Sequence, residues 1–261
     1  MRITLRSINN KDYWHQRWET IDADDVMQNI ESYPLKFAIK STEYNNKDQK
    51  ILEAGCGAGR ILSYLYKKDY NVIGIDFIQN AIVKIKKKYK DIKADVGNIL
   101  NTNFEKDYFD TILAFGLYHN FKIDDVKKAL LETKRILKKN GILCFSFRAD
   151  NFQNYILDKK IKNSNKLENT KFHKLNLKED ELIELLKEFN FKILEKEYVI
   201  NMPLLFHFKI FRSKAQKKFN EHIGRRDGYT LNFFGKILDK LLRLMFIKHY
   251  CNIYVFIVKK I

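Results

Sequence analysis

Cysteine is scarce in this sequence and shows no pairing. Cys56, Cys144 and Cys251 are the three present. They offer neither the even count of a disulfide framework nor the close spacing of a zinc site, so a stapled secreted scaffold and a metal centre are both excluded from the expectation. A reducing, cytoplasmic compartment fits best. Long apolar runs are missing too. No stretch of eighteen apolar residues occurs, so no membrane span is predicted. The opening Met1-Arg2-Ile3-Thr4-Leu5-Arg6 lacks the apolar centre of a signal peptide. Proline occurs twice, at Pro34 and Pro203, and neither a linker nor an internal repeat divides the chain. Acidic residues are in deficit: 32 Asp and Glu stand against 49 Lys and Arg, a formal charge of +17. Such an excess concentrates anions and strengthens contacts with nucleic acid or acidic membranes. Lysine is spread along the chain, however, and a generally lysine-rich composition explains the charge as well as a binding face does.

What is present is enough chain, at 261 residues, to bury a full core as one domain with an insertion. Short apolar runs alternate with helical ones. Strands are predicted at 50–54, 71–75, 92–94, 109–114 and 141–147, with helices at 59–67, 79–89 and 124–138. That alternation points to an α/β fold with a mostly parallel sheet covered on both faces. Residues 1–48 read as an N-terminal helical cap with irregular stretches, and 49–261 as the main domain. Residues 150–176, polar and weakly periodic, read as a loop or mobile cover. A helix at 179–187 leads to a strand at 191–200. The run Ile253 to Val258 is a final strand, antiparallel to it at one edge. Between them, 203–251 is far more than a hairpin needs and reads as a helical insertion.

The most informative stretch is Ile51-Leu52-Glu53-Ala54-Gly55-Cys56-Gly57-Ala58-Gly59-Arg60. It runs from a buried strand through a glycine turn into a helix. Such a turn lets a cofactor approach the backbone closely. A nicotinamide fingerprint would need Gly or Ala at the sixth position of the motif, where this chain has the bulky Arg60. Glu53, in an otherwise apolar strand, is costly without a cation or donor to meet it, which suits a cofactor bearing an ammonium group. Asp76, closing the second strand, is placed to take two ribose hydroxyls. Asp95, at the end of the third, is placed to accept an adenine amine. A cofactor crossing the carboxyl ends of successive strands would meet all three acids.

These segments resemble class I S-adenosylmethionine-dependent methyltransferases. Glu53 to Gly59 is similar to the family's first motif, Asp76 to the acid after strand two and Asp95-Val96 to the adenine-side motif. Phe109 to Gly116 resembles the fourth-strand motif, and Asn140-Gly141-Ile142-Leu143 the turn into strand five. The resemblance implies a Rossmann-like seven-stranded sheet, mostly parallel, with an antiparallel final strand and the helical insertion before it. It implies S-adenosylmethionine across the strand ends, with S-adenosylhomocysteine as product. It also implies Phe77 and Val96 beside the adenine, and Arg60 and Glu53 near the amino-acid end.

In such enzymes the protein supplies alignment, charge matching and sometimes a base. Phe115-Gly116-Leu117-Tyr118-His119-Asn120 follows strand four and is expected to face the methionine end. His119 is the candidate base; the alternative is that it merely packs or caps. Tyr118 and Asn120 are candidates for shaping the acceptor pocket. The aromatic Tyr13-Trp14-His15-Gln16-Arg17-Trp18 resembles the N-terminal segment that closes over the cofactor in small-molecule members, with Tyr13 as a candidate contact and the tryptophans as contacts or packing. The insertion carries His207, Arg225, Arg226 and Tyr229, candidates for a sugar or nucleotide-sugar acceptor. Its amphipathic run 231–247 is consistent with a lid, a packing or dimer surface, or an interfacial helix on acidic lipid. A looser resemblance to bacterial methyltransferases of surface-polysaccharide and lipid-linked glycan pathways points to a small-molecule or glycan hydroxyl as acceptor. Alternatives are an RNA or protein methyltransferase using the basic surface, a lipid methyltransferase at the inner membrane face, and a non-catalytic partner subunit.

Overall fold

The computed structural model describes residues 1–21, 33–164, 170–218 and 228–261. The chain begins with strand β1 (Arg2–Arg6), then helices α1 (Asn10–Thr20) and α2 (Leu35–Thr42). The central run follows: β2 (Lys50–Ala54), α3 (Arg60–Tyr66), β3 (Asn71–Asp76), α4 (Gln79–Lys88), β4 (Lys93–Val96), β5 (Phe109–Ala114), α5 (Ile123–Ile136) and β6 (Leu137–Arg148). It closes with α6 (Phe152–Ser164), β7 (Lys171–Asn176), α7 (Glu179–Glu188), β8 (Phe191–Val199), α8 (Phe233–Tyr250) and β9 (Ile253–Lys260).

Seven strands form one sheet in the order β4-β3-β2-β5-β6-β9-β8. The pairs from β4 to β6 are parallel, and β9 runs antiparallel to both β6 and β8. This is the Rossmann-like class I methyltransferase topology expected from the sequence. The reason lies in side-chain patterning. Ile51 and Leu52 on β2, and Ile112 and Leu113 on β5, are fully buried because helices cover both faces. Six successive residues of β9, Ile253 to Val258, are buried because that strand lies between β6 and β8. The outer strand β8 instead carries charged, part-exposed Lys192, Glu195, Lys196 and Glu197, as an edge requires. On α5, Val126, Ala129, Leu130, Thr133 and Ile136 make the buried stripe against the sheet.

The N-terminal segment opens with a strand ahead of its helices, and one expectation needs correction: the described part of 150–176 is not a loop. Arg2–Arg6 pairs antiparallel with Lys171–Asn176 in a separate two-stranded sheet, and α6 leads into it. Only Phe172 and Leu175 are apolar in that second strand, so its alternation is too weak to read without its partner. The strand is held by ion pairs that link distant positions. Arg2 bonds Asp150 at 2.8 Å and Asp158 at 2.6 Å, and Arg148 bonds Asp158 at 2.9 Å. The described part of the insertion has single 3-10 turns at Leu204–His207, Lys209–Phe211 and Lys214–Gln216, an isolated antiparallel bridge between Arg212 and Leu231, and then α8. Leu205, Phe206 and Leu231 form a small apolar cluster of its own.

Candidate cofactor cleft

The glycine turn between β2 and α3 is built by backbone that larger residues resist. Gly57 has φ of 52° and Gly59 of 74°, in the left-handed region that favours glycine. A Cβ on Gly57 would lie 2.4 Å from Cζ2 of Trp18, and one on Gly59 would lie 2.9 Å from Ile85. The turn is tied to the next strand. Gly55 and Cys56 donate their N–H groups to the Ile75 carbonyl, and Gly57 N–H donates to Asp76 Oδ2 at 2.9 Å. Asp76 Oδ1 accepts from Ile78 N–H at 2.9 Å. Burial raises the Asp76 carboxyl, and the N–H groups of Ile78, Gly57 and Phe77 oppose that rise.

A cleft of about 1240 Å³ opens over this turn, at the carboxyl ends of the parallel strands. Of the sequence-predicted cofactor residues, Glu53, Gly55, Cys56, Gly57, Arg60, Asp76, Phe77 and Phe115 line it. Glu53 is the most unusual of them. It is buried, accepts from the Leu62 N–H, and leaves Oε2 with no partner. Burial, with the Asp76 charge adding, pushes its carboxyl up to about 8. Cys56 is buried as well, and burial drives its thiol well above the ordinary range, so it is inert packing rather than a nucleophile. Among the described residues no cluster of His, Cys, Asp and Glu is suited to hold a metal.

Several candidates stand elsewhere. Asp95 and Val96 are outside the lining: Asp95 pairs with Lys86 of α4 at 2.7 Å, and Val96 is exposed. The rim is supplied one step later by Gly97, Asn98, Ile99 and Leu100. Tyr13 is also outside the lining. Its ring carries the Arg6 guanidinium at 3.7 Å and meets His173 edge-on. Its neighbours Trp14, Arg17 and Trp18 face the cleft instead, and the two indoles stack at 5.7 Å. Tyr118 is fully buried and shares a hydrogen bond with Thr133 at 2.8 Å, so it is core. His119 does not line the cleft. It is buried against Phe147, with burial first and the charges of Lys174, Arg148 and His173 next holding its imidazole well below the ordinary range. The same surroundings, burial foremost, push His173 down to about 2 and Lys174 to about 7.

Of the acceptor candidates, Asn120 and Tyr229 line the cleft. Asn120 donates to the Gly116 and Leu117 carbonyls, and Asn10 donates to its backbone oxygen at 2.7 Å. His207 is outside the lining, and Arg225 and Arg226 lie outside the described residues. Sequence reasoning missed three contributors. Ser146 Oγ accepts from Gly116 N–H and from Tyr33 Oη, both at 2.8 Å, so the loop after β5 and the Tyr33 wall share one anchor. Lys84 Nζ donates to the carbonyls of Trp18, Glu19 and Ile21 at 2.8, 2.7 and 3.0 Å, which caps the end of α1 and holds Trp18 over the turn. The segment from Val199 to Pro203 closes the far wall. Weak sequence signals existed only for Tyr33, through its aromatic character.

Comparison with known proteins agrees with this geometry. Residues 52–145 match the family profile described as "Methyltransferase domain". The chain is 27% identical over 124 residues to a ubiquinone biosynthesis O-methyltransferase of Pelagibacter ubique, covering 46% of this chain and 50% of that protein. It is 32% identical over 124 residues to a tRNA (guanine-N(7)-)-methyltransferase of Clostridium botulinum, covering 40% and 57%. The chain thus spans about half the length of the curated relatives it matches. A crystal structure of a SAM-dependent methyltransferase from Methanosarcina mazei superposes with a TM-score of 0.60 at 17% identity, covering 88% of this chain and 98% of that one. The fold is that of class I S-adenosylmethionine-dependent methyltransferases, residues 52–145 match a methyltransferase domain within it, and together they support S-adenosylmethionine as the cofactor. The residues present fit that group. The cradle excludes a Cβ at Gly57 and Gly59, and the orphaned Glu53 oxygen supplies a buried carboxyl of the kind an ammonium group requires.

Proposed function

We propose that this protein transfers a methyl group from S-adenosylmethionine to a hydroxyl of a small-molecule or glycan acceptor. The observation that carries the cofactor assignment is Glu53: a buried carboxyl with one oxygen unpartnered, beside a glycine cradle. Bound there, the cofactor supplies an activated methyl on its sulfonium. Glu53 would hold its ammonium group, and Asp76 the ribose hydroxyls. Phe77 and the Gly97–Leu100 rim would bound the base. Trp14 and Trp18 line the cleft, Trp18 directly over Gly57, and would help to shield the bound cofactor from water.

Beyond the cofactor residues the lining is polar: Asn10, Lys11, Asn120, Lys122, Asp125, Tyr229 and Arg243 contribute to it. That mixture suits hydroxyl-bearing ligands. With His119 outside the cleft, no histidine lines it among the described residues. Of the carboxylates that do, Glu53 and Asp76 are committed to the cofactor, which leaves Asp125 to accept a hydroxyl proton. Similarity to an O-methyltransferase supports the same reading.

Calorimetry with S-adenosylhomocysteine tests the core of the proposal. Glu53→Gln should weaken binding by about 30-fold, the loss of a charge-assisted contact worth roughly 2 kcal/mol. Undiminished affinity in that variant would remove the basis of the assignment. Radiolabelled methyl transfer to a panel of sugar and phenol hydroxyls then tests the acceptor class. A second reading, transfer to RNA, is favoured by the +17 charge and by similarity to a tRNA methyltransferase. It requires RNA affinity that falls steeply with salt.

A further inference from the structure

The insertion presents an apolar surface that the sheet does not cover. Helix α8 is turned inside out relative to an ordinary surface helix. Its inward side holds Gly235, Asp239 and Tyr250, and Asp239 is bound there by Arg243 and by the Tyr250 hydroxyl at 2.9 Å. Its outward side holds Phe233, Phe234, Ile237, Leu241, Leu244 and Met245, all exposed. Phe233, Phe234 and Leu244 are 71%, 74% and 72% exposed, values far from those of packed core residues. At about 100° per residue these six fall within an arc of about 120°. Ile210, 75% exposed, extends the patch, because Asn232 Nδ2 donates to its carbonyl at the helix start.

Charge borders this arc with one sign. Lys236 and Lys240 run along one flank, and Lys209, Lys214 and Lys217 are exposed on the preceding segment. Residues 203–250 hold eleven Lys and Arg against three acids. Nearly half of the chain's net charge therefore gathers in this one insertion. An exposed apolar patch of this extent marks an interaction surface. The same helix adjoins the cleft through Arg243, and Tyr229, just before it, lines the cleft too.

We propose that α8 docks in the plane of an anionic phospholipid bilayer. The apolar arc would sit at the headgroup–acyl boundary, and the flanking lysines would meet lipid phosphates. Charge decides between this occupant and a second copy of the chain. A symmetric pairing of the arcs would bring the lysine flanks of two protomers together, whereas an anionic lipid surface neutralises them. The helix lies on the membrane rather than through it: among the described residues no helix is long and apolar enough to cross one. Docking stands independently of the methyl transfer proposed above. Its corollary, an amphiphilic acceptor presented at headgroup height, rests on that reading.

Co-sedimentation of the full chain with vesicles tests this. Vesicles of phosphatidylcholine with about 30 mol% phosphatidylglycerol should pellet the protein at about 100 mM salt, and pure phosphatidylcholine vesicles should not. Phe233→Ser combined with Leu244→Ser should reduce vesicle affinity by at least about tenfold while S-adenosylhomocysteine affinity stays unchanged, which certifies the fold. Lys236→Glu with Lys240→Glu should reduce it as well. Absence of pelleting with the anionic vesicles overturns the proposal, as does equal pelleting of the serine variant. A wild-type dimer in solution that the serine pair converts to monomer, without vesicle binding, would assign the face to a second copy. Loss of S-adenosylhomocysteine binding by the wild type would sink the methyltransfer reading alone.

Discussion

Glu53 sits where its charge is disfavoured until a cation arrives. With its carboxyl raised to about 8, it is mostly protonated at pH 7 in the free protein. An ammonium group at Oε2 favours the carboxylate, so binding of S-adenosylhomocysteine at pH 7 is expected to release a proton. Calorimetry in buffers of different ionisation enthalpy would show this, and Glu53→Gln should abolish it. The same shift has a stability sign. The folded state holds this proton more tightly than the unfolded chain, so the contribution is full below about pH 4.5 and is lost as pH rises through about 8. Thermal melts of the free protein should show that decline, flattened in Glu53→Gln. His119 leads to a different expectation: His119→Ala should keep turnover within about threefold across pH, short of the 10²-fold or greater loss of a missing base. Its cost should appear in the melting temperature. Glu53, Gly57 and Asp76 line the cleft and lie in one contiguous turn or directly beside it, where local order decides position. Tyr13, Asp95 and Tyr118 lie outside the lining because one step along a helix or strand redirects a side chain, and the sequence does not say which step faces the cleft.

At the level of elements, α1 is a cover held from outside itself. Its exposed, weakly amphipathic sequence offers little reason to stay put, and Lys84 of α4 supplies one by binding three of its terminal carbonyls. Lys84→Met should raise hydrogen exchange across 10–20. Trp14 and Trp18 are the chain's two tryptophans and both line the cleft. Tryptophan-selective fluorescence therefore reports on the cleft, and titration with S-adenosylhomocysteine should change it saturably. A flat signal in a protein that binds the ligand by calorimetry would show that the indoles stay clear of it. The alternating central strands and helices were legible, because buried parallel strands are apolar throughout. The β1–β7 pair was not, because its stability comes from Arg2, Asp150, Asp158 and Arg148, four residues that only the fold brings together.

Across the whole molecule, that ion-pair group joins the first strand to α6 and β6. Arg2→Ala should cost about 1–3 kcal/mol, since the site is only part-buried, and lower the melting temperature by several degrees. The single reversed strand has a longer reach. Only Cys251 and Asn252 separate α8 from β9, and Asn252 is fastened on both sides, accepting from Met202 N–H through its side chain and from Ala149 N–H through its backbone. The outward helix is thus joined by a two-residue link to a strand buried between two others. On a bilayer, such a join acts as a depth gauge: the reaction centre would ride at one height above the lipid, and acceptors would be sorted by how far their reactive atom stands from the membrane plane.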